Sequence, residues 1–536
     1  MTDGRALVLG VDVGTQSARA GVFTLEGELL GRGEHPLQLW RPRPDHVEQS
    51  SADIWQAVSR SVVEARRQAG VEPSEIGGLG FDATCSLVAV GEDGRSVTVS
   101  VDGDDAHDVI VWMDHRAVGD AVAINATGHP VLQFVGGQVS PEMQTPKLRW
   151  VKAHLPESWS RAVRWYDLAD YLTWRATGRE VRSLCTTVCK WTYLGHEQRW
   201  DPTFFETIGL ADLGAEDFAT IGDDVRPPGA RAGVLSPAAA DELGLGRGTP
   251  VAVPLIDAHA GALGMLGAAG SDTPVDRRLA LIAGTSACHL ALSTERVDAH
   301  GVWGPYRGAL LPEHWLLEAG LSASGSFLDA ALRSHPAAGA RPTRDLHDHA
   351  IRTLTAWRED PARTTTRTRH AHWQPNLLGN RSPLADPHLT GGTAGRTLRD
   401  DDEDLAVWYL AALQALAYAT RHIVETIGEA GVDVQLLVAC GGSATNPWWL
   451  RTHADALGVP IAVPAEPDAV LLGAAMLGAT AAGQFESLPA AMDAMTRLDA
   501  IVQPDARVGS FHDAKYDVYR RMVDDSVAYR SAMDRA

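Results

Sequence analysis

An acidic residue near the start of the chain lies two positions before a turn that is rich in glycine and hydroxyl groups. The apolar run that contains Asp12 predicts a strand, and the run after the turn predicts the second strand of a hairpin. The turn consists of Gly14, Thr15, Gln16 and Ser17. Backbone N–H groups and hydroxyls in such a turn can surround a phosphate, and a carboxylate beside it can face a metal ion held on that phosphate.

The same arrangement occurs again far along the chain. An apolar run leads into Gly284, Thr285 and Ser286, and a second apolar run follows. Either unit alone could be an ordinary hairpin with a glycine turn. Because the pattern occurs twice, the sequence predicts two related domains that face one nucleotide.

Asp257 follows the apolar residues Leu255 and Ile256, at the end of a predicted strand. Catalytic side chains often lie at the carboxyl ends of strands in α/β sheets. Phosphoryl transfer needs a carboxylate that accepts a hydroxyl proton, amides around the phosphates and Mg²⁺. Asp257 fits the role of that base. It also fits a helix N-cap, because an Ala/Gly-rich stretch follows it, and one residue can serve in both ways.

Further polar groups gather at a bend between two predicted strands. Asp82, Cys85 and Ser86 offer a carboxylate, a thiol and a hydroxyl, which a polyol would need beside an apolar wall. Local hydrogen bonds in a hairpin turn explain the same pattern equally well. Trp112 could stack on a ligand, although an isolated tryptophan is more often part of a core. Lys190 is one of only four lysines, and either a retained point charge or chance accounts for it.

A pair of glycines follows a late apolar strand. Gly441, Gly442 and Ser443 come directly after the predicted strand 434–440, and a helix is predicted beyond them. Two glycines allow a ligand to approach the backbone closely, and a helix N-terminus favours negative charge. An isolated pattern of this kind is more often structural. Its place after two phosphate-type hairpins favours a nucleotide clamp.

Alternating strands and helices are predicted to position these residues. Strands are predicted at 6–13, 18–24, 77–82, 87–91, 109–112, 250–255 and 434–440. Helices are predicted from Ser51 or Asp53 to about Gly70, and at 145–154, 258–268, 402–429 and 504–536. The linker candidate is 270–274. The aromatic-rich segment 160–210 could be core, a dimer face or a pocket wall, and 335–368 carries no site signal.

Composition limits the function classes. A chain of 536 residues is too long for one core, so two or three domains are expected. A formal charge of −21 argues against a nucleic-acid partner. The five cysteines have no framework spacing, and Cys185 and Cys189 lack a second ligand pair, so neither disulfides nor a zinc site are predicted. No leader or membrane-spanning run is recognised, which predicts a cytoplasmic protein without a membrane partner.

Together these motifs resemble the FGGY carbohydrate kinases, within the actin, sugar kinase and Hsp70 superfamily. The resemblance covers about 6–490 and includes 378–387, which is similar to the family's GxRSP loop. It implies an α/β fold with two ribonuclease-H-like domains and an active site in the cleft between them. The implied division is 1–270 for an N-terminal domain with the sugar site and base, 271–495 for a nucleotide-binding domain, and 496–536 for a helical extension.

The resemblance also implies roles for the residues. Asp257 would be the base that deprotonates a sugar hydroxyl for attack on the γ-phosphate of ATP, and Asp12 would act through Mg²⁺. The implied sugar contacts are Asp82, Cys85, Ser86, Trp112, Lys190, Asp257 and Glu318. The implied nucleotide contacts are Gly14, Thr15, Gln16, Ser17, Gly284, Thr285, Ser286, Gly441, Gly442, Ser443 and Asn446.

Residues 84–88 read TCSLV, which resembles the D-ribulokinase branch, and Asp257 followed by Ala-His is also similar to ribulokinases. The resemblance therefore implies ATP-dependent phosphorylation of D-ribulose, with L-ribulose, D-xylulose or a pentitol such as ribitol as alternatives. Around Glu318 the chain departs from the family pattern, with Glu-Ala-Gly-Leu-Ser in place of Glu-Gly-Gly-Gln-Ser. A homodimer is common in the family.

Two further classes use the same fold. A non-catalytic sugar or nucleotide sensor would be expected to lack Asp257 or a phosphate loop, and all of these are present. An Hsp70-like ATPase would need a partner-binding domain after about 490, where too few residues remain. The sequence therefore favours a kinase.

Overall fold

The computed structural model of the protein describes residues 7–267, 271–358 and 360–535. Its strands are β1 Leu7–Val13, β2 Ser17–Thr24, β3 Leu29–Pro36, β4 Glu48–Gln49, β5 Ile76–Ala83, β6 Leu87–Val90, β7 Val109–Ile110, β8 Arg164–Asp167, β9 Arg182–Ser183, β10 Val225–Arg226, β11 Arg231–Val234, β12 Pro250–Ala252, β13 Leu255–Ile256, β14 Arg278–Ala283, β15 Ala287–Ser293, β16 Trp303–Arg307, β17 Trp315–Leu321, β18 His372–Gln374, β19 Gly392–Ala394, β20 Leu436–Cys440, β21 Ile461–Pro464 and β22 Leu498–Val502.

Helices connect and cover these strands. They are α1 Ser51–Ala69, α2 Val118–Asn125, α3 Gln144–His154, α4 Pro156–Arg161, α5 Leu168–Thr177, α6 Leu184–Lys190, α7 Pro202–Thr207, α8 Ala211–Ala215, α9 Pro237–Leu243, α10 Asp257–Leu266, α11 Gly325–Arg333, α12 Thr343–Ala356, α13 Pro361–Thr366, α14 Asp402–Glu429, α15 Pro447–Leu457, α16 Ala469–Ala481, α17 Leu488–Met495 and α18 Gly509–Met533. The predicted boundary at 270 and the predicted end of a helix at 268 lie outside the described residues.

Two mixed sheets have the same topology. In the first, the order is β3-β2-β1-β5-β12-β11, where β1 runs antiparallel to β2 and parallel to β5. In the second, the order is β16-β17-β15-β14-β20-β21-β22, where β14 runs antiparallel to β15 and parallel to β20, and β16 adds a further edge strand. In both, the outermost strand on the β12 or β21 side runs antiparallel to its neighbour. The two sheets confirm the expected α/β fold with two related domains.

Two helices in close contact join the two sheets. Helix α10 follows a strand of the first sheet and packs against β14 of the second, while α16 follows the second sheet and packs against β1 and β5 of the first. The helices touch each other at small residues. A Cβ at Gly473 would overlap the Ala260 carbonyl oxygen, and one at Gly264 would overlap the Ala469 carbonyl oxygen. The apolar face of each sheet is therefore covered partly from the other domain.

Several predicted elements have the expected bounds. Helix α1 begins after Ser50, whose Oγ accepts a hydrogen bond from the Asp53 N–H, and ends at Gly70 with φ 69°. The long helix α14 begins with three acidic residues after the cap Asp401. Their negative charges interact favourably with the positive end of the helix dipole. The aromatic segment 160–210 is core, because Trp165, Trp191 and Trp200 are all buried.

Two predictions about strands are wrong. The strand expected at 250–255 is divided into β12 and β13, because Pro254 has no N–H and its carbonyl accepts a hydrogen bond from the Ser183 hydroxyl. The bend after Ala83 does not close a hairpin: β5 belongs to the first sheet, whereas β6 belongs to a four-stranded sheet with order β4-β7-β6-β8. None of the helices in the described ranges combines the length and apolar character that crossing a membrane requires.

Candidate active site

Three strands of the first sheet deliver acidic residues to one edge. The parallel register places Asp12 of β1 beside Asp82 of β5, and Leu255 of β13 beside Asp82 on the other side. Asp257 follows as the first residue of α10. Because the carboxyl ends of parallel strands meet at the same edge, these carboxylates gather there although they are far apart in sequence.

Asp12 and Asp82 are both buried, but only Asp12 has a basic partner. Asp12 faces Arg19 across the hairpin register and forms an ion pair with it. Burial raises the pKa of Asp12 above its ordinary value, and Arg19 opposes that shift. Burial and the charge of Asp12 raise the pKa of Asp82 well above its ordinary value. Asp82 therefore retains a proton more readily than Asp12.

Asp257 has the environment of a carboxylate that can accept a proton. Its Oδ1 accepts a hydrogen bond from the Ala258 N–H at 2.7 Å, so the first turn of α10 fixes the side chain. It does not cap the helix, which begins after Ile256. Burial, followed by the negative charge of Asp12, raises the pKa of Asp257 to about 6. This value suits a base at neutral pH because the group is ionised but not far from its pKa.

A cavity of about 250 Å³ opens between the two domains in front of these acids. The first domain contributes Asp12, Gly14, Cys85, Trp112, Lys190 and Asp257 to its lining, and the second contributes Ser286, Glu318 and Arg381. The cavity therefore combines carboxylates and an ammonium with the ring of Trp112, a mixture that a polyhydroxylated ligand requires.

Glu318 approaches this cavity from the second domain. It lies on β17, next to the hairpin strand β15, and its carboxylate Oε2 lies 3.7 Å from Nε2 of His259 in the first domain. Burial favours the neutral acid, but Lys190, His259 and Arg381 lower the pKa of Glu318 below its ordinary value. The structure thus brings Glu318 to the cavity despite the altered sequence around it.

Two of the predicted sugar contacts lie behind the cavity lining. Asp82 and Ser86 are fully buried. The Ser86 hydroxyl accepts a hydrogen bond from the backbone N–H of Trp112 at 3.2 Å. The indole Nε1 of Trp112 in turn donates to the Thr15 hydroxyl at 2.9 Å. Ser86 therefore fixes the backbone of Trp112, and Thr15 fixes its ring.

The first turn is held from several sides. The Gly14 N–H donates to the Ser17 carbonyl oxygen at 3.0 Å. The Gln16 carbonyl accepts from the Leu37 N–H, and the Ser17 hydroxyl donates to Glu34. Of the four turn residues, Gly14 lines the cavity and Gln16 is exposed. The turn is therefore closed by a backbone hydrogen bond between its first and last residues, and the Ser17 hydroxyl is paired with Glu34.

A second cavity, of about 670 Å³, lies in the second domain on the other side of the second turn. Gly284 and Thr285 line it, whereas Ser286 lines the smaller cavity. The Thr285 carbonyl accepts hydrogen bonds from the N–H groups of Ser324 and Ser326, which fixes the turn to the start of α11. The turn therefore contacts both cavities.

The segment after β20 contributes to the wall of this second cavity beside the second turn. Gly442, Ser443 and Asn446 line it. Gly441 has φ 92° and lies so close to β14 that a Cβ would be 2.5 Å from the Ala283 carbonyl oxygen, so only glycine fits there. The Asn446 side chain caps α15 by accepting from the Trp448 N–H, and it also donates to the Tyr409 hydroxyl.

Sequence reasoning missed several lining residues. Arg19 could have been found, because the hairpin register pairs it with Asp12. Arg381, within the segment quoted for its family resemblance, lies 3.4 Å from Glu142 and joins the two domains at the smaller cavity. Helix α12 lies in the segment that carried no site signal, yet its residues Arg344, His347 and Asp348 line the larger cavity.

Comparison with known proteins agrees with this geometry. Residues 7–264 match the N-terminal domain of the FGGY family of carbohydrate kinases, and residues 279–482 match its C-terminal domain. The chain belongs to the FGGY family of carbohydrate kinases. It is therefore a carbohydrate kinase with the expected actin-like, two-domain fold.

Relatives of this FGGY kinase match along nearly its whole length. An FGGY carbohydrate kinase domain-containing protein of Danio rerio is 44% identical over 96% of this chain and 96% of its own. A D-ribulokinase of Saccharomyces cerevisiae is 36% identical over 89% of this chain and 72% of its own. The crystal structure of a xylulose kinase from Rhodospirillum rubrum superposes with a TM-score of 0.80 at 20% identity, over 98% of this chain and 99% of that one.

Proposed function

We propose that this FGGY kinase transfers the γ-phosphoryl group of ATP to the terminal hydroxyl of D-ribulose and forms D-ribulose 5-phosphate. The observation that carries the proposal is the convergence of Asp257, Lys190 and Glu318 on one cavity that adjoins the second turn. A base, a cation and a second carboxylate face each other there, next to the loops that would hold the phosphates.

Asp257 acts as the base in this proposal. It takes the proton from the sugar hydroxyl as the oxygen attacks the γ-phosphorus, and the bond to the bridging oxygen of ADP breaks. The pKa of about 6 leaves Asp257 ionised at neutral pH before the reaction. Its hydrogen bond from Ala258 keeps one oxygen in place, so the other is free to accept the proton.

The sugar would lie between the two domains. Lys190 donates to its hydroxyl or carbonyl oxygens, Glu318 accepts from a hydroxyl, and Trp112 covers its apolar face. Cys85 lines the same cavity. Asp82 and Ser86 act from behind it, by supporting Asp12 and Trp112.

The nucleotide would occupy the larger cavity, with its phosphates pointing toward the smaller one. Gly284, Thr285 and Ser286 would contact the β- and γ-phosphates, a role that their position between the two cavities supports. Gly14, Thr15, Gln16 and Ser17 would approach the γ-phosphate from the first domain. The adenosine end would lie near Gly441, Gly442, Ser443 and Asn446, of which the last three line the larger cavity.

Asp12 fits a magnesium ion held on the phosphates. Within the described ranges, the buried Asp12 Oδ1 has no hydrogen-bond partner, and carboxylate oxygens are ligands that Mg²⁺ prefers. When bound, Mg²⁺ neutralises charge on the phosphates. The ion pair with Arg19 keeps Asp12 oriented toward the cavity.

Two observations favour D-ribulose over other pentuloses. Residues 84–88 place Cys85 in the cavity wall within the TCSLV segment that resembles D-ribulokinases. The curated relative named as a D-ribulokinase is 36% identical over 89% of the chain, whereas the xylulose kinase structures are similar only in fold.

Coupled ADP release tests the assignment. The purified protein is assayed with Mg·ATP and D-ribulose, L-ribulose, D-xylulose, L-xylulose, ribitol or glycerol. We expect a kcat/KM for D-ribulose at least about tenfold above every other compound, a ratio that a few hydrogen bonds can supply. A higher kcat/KM for another polyol would overturn the assignment of D-ribulose as the substrate but would leave the proposed phosphoryl-transfer mechanism unchanged. No turnover on any of them would overturn the proposal and favour a sensor.

A further inference from the structure

Behind the smaller cavity, the fold brings together two thiols and an imidazole that are distant in sequence. Cys185 and Cys189 are four residues apart on one face of α6, and His259 lies on α10. One sulfur or nitrogen donor atom from each of the three side chains lies within 4.8 Å of the others. All three residues are buried. In the sequence, no second ligand pair accompanies Cys185 and Cys189, but the tertiary structure brings His259 beside them as a third possible ligand.

The imidazole of His259 is oriented with one nitrogen toward each neighbour. Nδ1 lies 3.3 Å from the Cys185 sulfur, and Nε2 lies 3.7 Å from the Glu318 carboxylate Oε2. Within the part of the chain that the structure describes, neither Nε2 nor this Glu318 oxygen has a hydrogen-bond partner, although both are buried. In metal sites, a ligating histidine commonly directs its second nitrogen toward a carboxylate in this way.

The donor atoms of the cluster suit a soft cation. Thiolate sulfur and imidazole nitrogen are ligands that Zn²⁺ prefers, and a cysteine binds a metal ion as the thiolate. Metal binding therefore releases protons from the cluster.

We propose that Cys185, Cys189 and His259 form a binding site for a thiophilic divalent cation, with Zn²⁺ as the natural probe. The two sulfurs and Nδ1 of His259 donate electron pairs to the ion, and every proton that these three atoms carry in the metal-free protein leaves to solvent. Three protein ligands leave the fourth tetrahedral position to one water molecule. Glu318 accepts a hydrogen bond from Nε2 and fixes the ring. The site is separate from Asp12, whose carboxylate oxygens would hold Mg²⁺.

Cobalt substitution tests the ligands directly. The metal-free protein, reduced and kept without oxygen, is titrated with Co²⁺, and the thiolate-to-cobalt charge-transfer band is recorded. Zn²⁺ affinity is then measured by competition with a chromogenic chelator. We expect one ion per chain, a thiolate band, and displacement of Co²⁺ by Zn²⁺. A titration without that band would overturn the proposal.

Cysteine-to-serine variants distinguish Zn²⁺ binding at this site from binding at other cysteines of the chain. Cys185→Ser and Cys189→Ser should each weaken Zn²⁺ binding by at least about tenfold and reduce the band, since each removes a soft ligand. Cys440→Ser is the matched control, because that buried cysteine lies on β20 in the other domain, and it should bind like the parent. Equal affinity in all three variants would overturn the proposal.

A second variant keeps the test valid if a cysteine replacement does not fold. Glu318→Gln leaves all three ligands in place and removes only the carboxylate behind His259. Loss of such an outer carboxylate typically weakens metal affinity about 10–100-fold. Unchanged affinity in Glu318→Gln, with the thiolate band intact, would contradict the role of Glu318. Metal affinity does not depend on turnover, so this result is independent of the proposed kinase substrate.

Discussion

The two hairpins pair their strands in the same way, but their turns differ in length and in chemistry: four residues separate Val13 from Ala18, and three separate Ala283 from Ala287. In the first, Asp12 lies two residues before Gly14 and pairs with Arg19 across the register. In the second, Ile282 lies two residues before Gly284 and pairs with Cys288. In each turn, the N–H of that glycine donates to the carbonyl of the serine that ends the turn. An acidic–basic pair in one domain therefore corresponds to an apolar pair in the other.

This difference explains why a symmetric fold can hold an asymmetric reaction. We propose that both turns contact phosphates. Among the described residues, the first domain gathers carboxylates at the ends of β1, β5 and β13, whereas the second domain contributes Glu318 from β17. The second domain instead provides the larger cavity behind Thr285. In the proposed mechanism, proton transfer and the metal ion therefore belong to the first domain and nucleotide binding to the second.

The largest expected effect comes from Asp257→Asn, which keeps the shape of the side chain and removes the base. General-base catalysis contributes typically about 10²–10⁴-fold, so kcat for D-ribulose should fall by that factor. Binding of ADP, measured by calorimetry, should change by less than about threefold if the nucleotide lies in the second domain. A variant that phosphorylates at close to the parent rate would remove Asp257 from this role.

Asp12→Asn and Ile282→Asn test the comparison at equivalent positions. Loss of a charged group that stabilises the transition state typically costs about 10²–10³-fold, so Asp12→Asn should reduce kcat by that amount. Ile282→Asn changes a partly buried residue of the same cavity without removing a charge, and we expect a loss below about tenfold. Rates are measured at saturating Mg·ATP. Equal losses in the two variants would mean that the two turns contribute equally to catalysis.

Some of this site could be predicted from sequence, and the reasons are local. Both turns follow apolar strands and are closed by hydrogen bonds between residues a few positions apart, so the pattern of glycine and hydroxyl residues reveals them. The position of Asp257 also followed from a strand end. In each case the signal lies within about ten consecutive residues, which is the range over which periodicity and turn chemistry act.

The remaining contacts depend on tertiary structure. Arg381 meets Glu142 across 239 positions, and His259 meets Cys185 across 74. Helix α12 has an ordinary amphipathic pattern and lines the larger cavity only because α14 positions it there. Such pairings depend on how the two domains pack against each other, which no short segment encodes.

The pH dependence of kcat/KM should reveal the pKa of Asp257 and the effect of the Asp12 charge on it. Because Asp257 must be ionised to accept a proton, activity should be constant above pH 7 and fall toward tenfold per pH unit below about pH 6, where Asp257 is protonated. Assays run from pH 4.5 to 8.5 at saturating Mg·ATP. In Asp12→Asn, the midpoint should move to lower pH, because the charge of Asp12 raises the pKa of Asp257. An unchanged midpoint would contradict that coupling.

The smallest effect is on stability, at the contact between α10 and α16. The two helices join the unlike domains through Gly473 and Gly264, and a Cβ at Gly473 would overlap the Ala260 carbonyl oxygen. Forcing extra atoms into a packed contact costs about 1–3 kcal/mol, so Gly473→Ala should lower the free energy of unfolding by that amount. Gly428→Ala is the matched control, because Gly428 lies in α14 with open space around it. There alanine should stabilise the helix by about 0.5–1 kcal/mol.

Chemical denaturation of both variants gives their free energies of unfolding. If Gly473→Ala is as stable as Gly428→Ala, the contact between α10 and α16 tolerates a side chain, and the two domains do not rely on close contact between these helices. A selective loss at Gly473 would show that the close approach of α10 and α16 holds the domains together. Helix α10, which begins with Asp257, would then be held in place by α16 of the second domain. The position of the proposed base in the first domain would thus depend on packing against the second.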